Sequence, residues 1–74
     1  MLEDIKQIID QILVNNSQTK MNSIDINMNL QEDIGLDSLD LAELTVHIES
    51  KYGVDIFESG IIYTVGEILE KIDN

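Results

Sequence analysis

Leu2, Ile5, Ile8, Ile9 and Ile12 fall at the i, i+3, i+4, i+7 spacing of one helix face, while Glu3, Gln7, Asp10 and Gln11 take the other. The pattern predicts an amphipathic helix at the N-terminus that fades at Asn15-Asn16-Ser17, where polar turn-formers cluster. Residues 16–37 then make a long connection. Its Met21, Ile24, Ile26, Met28, Leu30 and Ile34 are too apolar for a free linker, so the loop is expected to pack over the core. A second helix is predicted from Ser38 to about Tyr52, after a break at Gly35, with Asp37 able to cap its first turn and Gly53 at the C-cap position. The apolar stretch Val54 to Ile62, interrupted by Ser59-Gly60, has room for one helical turn. Thr64-Val65-Gly66-Glu67 reads as a capping box, and Val65, Ile68, Leu69 and Ile72 form the apolar face of a last helix. The expected fold class is all-α: a small four-helix bundle of three main helices plus one short helix, with a long structured loop between the first two.

The middle helix carries apolar residues on two sides. At about 100° per residue, Leu41, Leu44, Ile48 and Tyr52 share one side, with Thr45 at its edge; that side should face the core. Leu39, Ala42 and Val46 lie opposite, flanked by Asp40, Glu43 and Glu49. A bundle helix needs one buried stripe, so a second strip rimmed by carboxylates has the character of a docking surface. Scattered apolar residues on a surface are ordinary, and the strip alone does not decide the matter.

Composition narrows the chemistry. The 74 residues make one domain, and a domain of about this size has little room for an enclosed active site. There is no Cys, which excludes disulfides and Cys-based zinc sites and fits a cytoplasmic protein. Any thiol chemistry would therefore need a thiol from a cofactor. No signal peptide or membrane span is legible, because charged and amide residues interrupt every apolar run. Fifteen Asp and Glu against four Lys give a formal net charge of −11, which disfavours nucleic acid and anionic membrane and favours partners with basic patches. His47, the single histidine, has no evident nucleophile to serve and reads as a solvated surface residue; no catalytic group stands out.

The outward strip begins within Glu32-Asp33-Ile34-Gly35-Leu36-Asp37-Ser38-Leu39-Asp40-Leu41-Ala42-Glu43-Leu44. This run closely resembles the acyl carrier protein family, in which an Asp-Ser-Leu triplet opens the second of four helices. The similarity continues along the helix to Tyr52 and at Thr64-Val65, and is one of pattern alone in the first helix. The resemblance implies a non-enzymatic carrier domain over residues 1–74. The chain starts with Met and ends two residues after Ile72, which suggests a discrete protein, and a monomer is the default expectation. The resemblance implies 4′-phosphopantetheine, transferred from coenzyme A by a phosphopantetheinyl transferase, on Ser38. It also implies partner contacts at Asp37, Leu39, Asp40, Glu43, Val46 and Glu49; the helical wheel adds Ala42. The partners implied are that transferase, an acyl- or aminoacyl-loading enzyme and downstream transferases with basic docking patches. Without this context, Ser38 would read as a plain N-cap serine.

Two departures bear on the pathway. Fatty-acid carriers usually have Ile-Pro and a longer third helix where this chain has Ile56-Phe57-Glu58-Ser59-Gly60 and reaches Thr64 sooner. Thr45 stands where the resemblance suggests an aliphatic residue lining an acyl cavity. Both point to a specialised pathway (polyketide, nonribosomal peptide or surface-polymer modification), with fatty-acid synthesis as the alternative. Two readings come from other classes. Asp25, Asn27 and Asn29 mimic the start of a calcium loop, but Leu30 and Leu36 stand where that loop needs Gly and Glu. An acidic interaction module without a prosthetic group would keep the strip and make Ser38 dispensable.

Overall fold

Three helices carry the fold: α1 (Leu2–Asn15), α2 (Ser38–Tyr52) and α3 (Val65–Asp73). The structure is a computed structural model that describes residues 2–58 and 60–73. Ile5, Ile9, Ile12 and Leu13 of α1, Leu44 and Ile48 of α2, and Val65 and Ile68 of α3 are buried in one core. Leu2, Ile8, Leu41, Tyr52, Leu69 and Ile72 pack at its margin, so the periodic positions do face inward. Leu13, outside the predicted stripe, is 1% exposed because it widens that stripe beside Ile9 and Ile12. Helix α1 stops where Ser17 takes a positive φ of 62° and the Gln18 N–H turns back to the Leu13 carbonyl at 2.7 Å.

The long loop packs over the core as expected, through Ile24, Leu30, Ile34 and Leu36, with Met21 and Met28 half-buried. Two residues depart from the expectation. Ile26 is 52% exposed, because a turn closes there: the Asp25 side chain accepts the Asn27 N–H at 2.7 Å and its carbonyl accepts the Met28 N–H at 3.1 Å. This Asx turn breaks the alternation that would have carried Ile26 inward. Asp10, assigned to the solvent face, is 8% exposed. It accepts the Lys6 ammonium at 2.7 Å and the Met21 N–H at 3.0 Å, which ties the start of the loop to α1.

The other end of the loop holds α3. Leu30 donates to the Tyr63 carbonyl at 2.8 Å, and Asn29 and Thr64 form an isolated antiparallel bridge. Val65 and Gly66 donate to the carbonyls of Met28 (3.1 Å) and Ile26 (2.9 Å). Helix starts leave N–H groups without intrahelical acceptors, and here loop carbonyls supply them. The predicted capping box forms: Glu67 donates its N–H to Thr64 Oγ1 at 3.3 Å and accepts the Thr64 N–H at 3.1 Å.

Among the described residues, turns occupy the segment expected to hold the short fourth helix. Asp55 accepts the Phe57 N–H through Oδ1 (3.0 Å) and the Glu58 N–H through its carbonyl (3.3 Å), and Gly60 donates to the Phe57 carbonyl at 3.1 Å. The Asp55 bonds cap a single turn, and Gly60 at φ 128° turns the chain away. Ser59, part of the interruption foreseen in the sequence, lies outside the described residues. Ile56, fully buried, still anchors the segment.

Candidate functional site

The site is built at the start of α2, and the loop aims it. Asn29 organises the approach: its side chain accepts the N–H groups of Gln31 (2.9 Å) and Glu32 (2.8 Å), and Asp33 accepts the Asn29 N–H at 2.7 Å. Gly35, at φ 91°, makes the reversal that a side chain would strain, and Leu36 donates to the Leu30 carbonyl at 3.0 Å. Leu36 is 2% exposed, so the residue just before the cap is anchored in the core. The side-chain oxygens of Asp25, Asn29 and Asp33 are thus engaged in turns, and no group of three or more His, Cys, Asp or Glu among the described residues is placed to hold a metal ion.

Asp37, and not Ser38, fills the cap. Its Oδ1 accepts the Asp40 N–H at 2.8 Å, its carbonyl accepts the Leu41 N–H at 2.9 Å, and Asp40 Oδ2 accepts the Asp37 N–H at 3.1 Å. This reciprocal box explains why the helix begins where it does. It also relieves Ser38 of any capping duty. Ser38 sits at the first helical position, exposed, with its side chain at the rim of the helix start.

The local electrostatics favour an anionic group on Ser38 in one respect and oppose it in another. The first-turn N–H groups of Ser38 and Leu39 lack intrahelical acceptors, and the helix dipole puts partial positive charge at this end. A phosphodiester on Ser38 would lie close to those donors. The Asp37 carboxylate is the opposing charge, moderated because it already accepts an N–H. An exposed serine with free reach and unspent helix-start donors fits a covalent phosphopantetheine arm.

The predicted docking residues separate into two groups. Leu39 and Val46 stand out at 80% and 67% exposed, with Ala42 exposed between them. Asp37 and Glu49 are exposed and Glu43 is partly so, which completes an acidic rim. Asp40 does not belong to that rim: it is 4% exposed and turned inward, where it accepts from Asn16 Nδ2 as well as from the Asp37 N–H. The wheel placed it outward because a wheel cannot see donors that reach a carboxylate from another segment of the chain. His47 is exposed, with Nε2 3.8 Å from Glu43 Oε2. At the far end of α2, Gly53 adopts φ 72° and donates to the Glu49 carbonyl at 2.8 Å. Thr45, half-buried, donates its hydroxyl to the Leu41 carbonyl at 3.0 Å, so its polarity is satisfied within its own helix.

Asn16 and Asp10 are the contributors that periodicity missed. Both act through hydrogen bonds between segments distant in sequence, and neither carries a signal in its own neighbourhood.

Comparison with known proteins follows the same lines. A family model described as the phosphopantetheine attachment site matches residues 4–71. The acyl carrier protein of Wolinella succinogenes is 35% identical over 74 residues, covering 96% of this chain and 91% of that protein. That of Sulfurovum sp. is 31% identical over 77 residues, spanning 100% and 96% of the two chains. That of Rickettsia bellii (strain OSU 85-389) is 33% identical over 55 residues, 74% and 68% of the two chains.

Proposed function

We propose that this chain, which belongs to the acyl carrier protein family and has its phosphopantetheine attachment domain, bears the prosthetic arm on Ser38 and carries acyl or aminoacyl groups between partner enzymes. The observation that carries the assignment of the serine is the transfer of the capping role to Asp37, which leaves Ser38 exposed at the helix start. In the loading step the Ser38 oxygen bonds to the phosphorus of the phosphopantetheinyl group of coenzyme A. Its proton and 3′,5′-adenosine diphosphate leave, with the transferase supplying the base. When bound, the arm supplies the thiol that this chain lacks, and so the thioester. The role of the chain itself is to present, orient and release.

Partner enzymes dock, in this reading, on Asp37, Leu39, Ala42, Glu43, Val46 and Glu49. The exposed leucine and valine supply apolar contact, and the carboxylates steer basic patches into place. Exposed charge pairs give fast, salt-sensitive encounters of modest strength, which suits a shuttle that must leave each partner. The same surface charge disfavours nucleic acid and anionic lipid. No helix among the described residues is long and apolar enough to cross a membrane, and a cytoplasmic location is part of the same proposal.

The pathway reading is a specialised one (polyketide, nonribosomal peptide or surface-polymer modification) in preference to bulk fatty-acid synthesis. It is supported by the turn over residues 55–58 and by Thr45 on the margin of the helix face that meets the core. Long saturated acyl chains that bound within the bundle and raised its melting temperature strongly would overturn it.

The test of the main reading is direct. The chain and its Ser38→Ala variant are incubated with coenzyme A and a broad-specificity transferase, and intact masses are recorded. One phosphopantetheinyl group is expected on the first and none on the second. A folded, unmodified chain that gains nothing would leave an acidic docking module as the better reading.

A further inference from the structure

We infer that Asn16 is a positioning residue for the loading of Ser38, a proposal that rests on the reading of Ser38 as the attachment site. Asn16 lies one residue beyond α1, and its backbone N–H is held by the carbonyls of Ile12 (3.1 Å) and Leu13 (3.2 Å). Its side-chain amide crosses 24 positions of sequence to donate to Asp40 Oδ1. The other oxygen of that carboxylate accepts the Asp37 N–H at 3.1 Å. Asp40 is 4% exposed.

A carboxylate this deeply buried keeps its place only while both oxygens have donors. Asn16 meets one of them, and the freedom of Asp40 to hold the Asp37 N–H depends on it. Asp37 returns the bond through the Asp40 N–H at 2.8 Å. Ser38 and Leu39 therefore lie inside a four-residue ring closed by two reciprocal hydrogen bonds and moored to the end of α1 by a third. The start of α2 is the point a transferase must grip, and its geometry is set by a residue on another helix's exit.

Removing the Asn16 amide leaves Asp40 Oδ1 buried without its donor. Asp40 then turns toward water and releases the Asp37 N–H, and the first turn of α2 frays. A transferase that binds only the formed turn sees a diluted carrier, so KM rises while the rate at saturation holds.

The test compares wild type, Asn16→Ala, Asn16→Asp and the exchange variant Asn16→Asp with Asp40→Asn. The exchange variant puts the amide on position 40 and the carboxylate on position 16. The amide oxygen at position 40 can accept the Asp37 N–H while the amide NH2 donates to the carboxylate at position 16. Two readouts are taken: amide hydrogen exchange of the unloaded chains, and steady-state loading with coenzyme A and transferase. Asn16→Ala is expected to speed exchange at the hydrogen-bonded amides of Asp37, Asp40 and Leu41 while Ile48 keeps its protection, and to raise KM about three- to tenfold with kcat within about twofold. Asn16→Asp, which sets two carboxylates together, should be worse, and the exchange variant should return KM to within about threefold of wild type. Wild-type exchange and KM in Asn16→Ala would overturn the proposal, as would an exchange variant no better than Asn16→Asp. Failure of the wild type to load would instead sink the assignment of Ser38, and the exchange data would still report on Asn16.

Discussion

The carbonyl oxygen of Ile26 accepts the Gly66 N–H at 2.9 Å, and a Cβ placed on residue 66 would meet that same oxygen at 3.0 Å. The loop and α3 are thus pressed together backbone to backbone, at a glycine whose value lies in close approach. Loop geometry and helix position are coupled at this point, because the bond that satisfies the helix start also sets how near the loop can lie.

Gly66→Ala follows as a first prediction. Alanine in a helix is ordinarily favourable by about 1 kcal/mol over glycine. Here the new methyl group must displace a hydrogen-bonded backbone carbonyl, so the net effect is expected to be a loss of about 1 kcal/mol. Thermal unfolding should give a midpoint lower by several degrees, and a midpoint above wild type would refute the coupling.

Helix α2 should answer differently on its two sides. Leu44→Ala removes a fully buried side chain and should cost about 2–5 kcal/mol. Leu39→Ala, at a residue 80% exposed, should stay within about 0.5 kcal/mol of wild type while slowing loading of Ser38. Chemical denaturation and transferase kinetics on the two variants separate the roles; an unstable Leu39→Ala would move Leu39 from the docking face to the fold.

The cap itself is open to test. Asp37→Ala deletes the acceptor of the Asp40 N–H and is expected to cost about 1–2 kcal/mol, with Asp37→Asn recovering most of it. Equal stabilities of the Ala and wild-type chains would show that the box at the start of α2 does not hold the helix.

Loading should fall with salt. The carrier has a formal net charge of −11, and its rim charges at Asp37, Glu43 and Glu49 are open to screening. At about 1 M salt the screening length shrinks to about 3 Å, so kcat/KM should drop steeply from its low-salt value. A flat salt profile would leave Leu39, Ala42 and Val46 as the main source of recognition.

Alkaline stability should report on Tyr52. Burial, and next the neighbouring Asp4 carboxylate, push the Tyr52 hydroxyl above its ordinary value of 10.0. The fold favours the neutral phenol, so this contribution is intact below pH 10.0 and is lost as pH rises through the raised value. Tyr52→Phe removes the titrating group, and its midpoint should decline less than wild type above that pH. Parallel declines would assign the alkaline loss to other groups.

The residues of the candidate site were legible because their signals are local. Asp37, Ser38 and Leu39 stand next to one another, the apolar strip repeats at helical spacing, and Gly53 and Thr64 punctuate the chain. The three helices appeared where the apolar period put them. In the segment after Val54, where the apolar content leaves room for one helical turn, Asp55 caps a single turn through the N–H groups of Phe57 and Glu58.

By itself, the sequence determined the all-α class, the start and stop of the main helices, the serine candidate and the acidic face proposed for docking. Each of these follows from residue type and short-range period, which act through neighbours along the chain. Only the tertiary structure decided that Asp10 and Asp40 turn inward and that Asn16 moors the turn bearing Ser38. Those outcomes depend on which buried carboxylate meets which distant donor. The cost of an unsatisfied buried oxygen is set by three-dimensional neighbours, and no pattern along the chain records it.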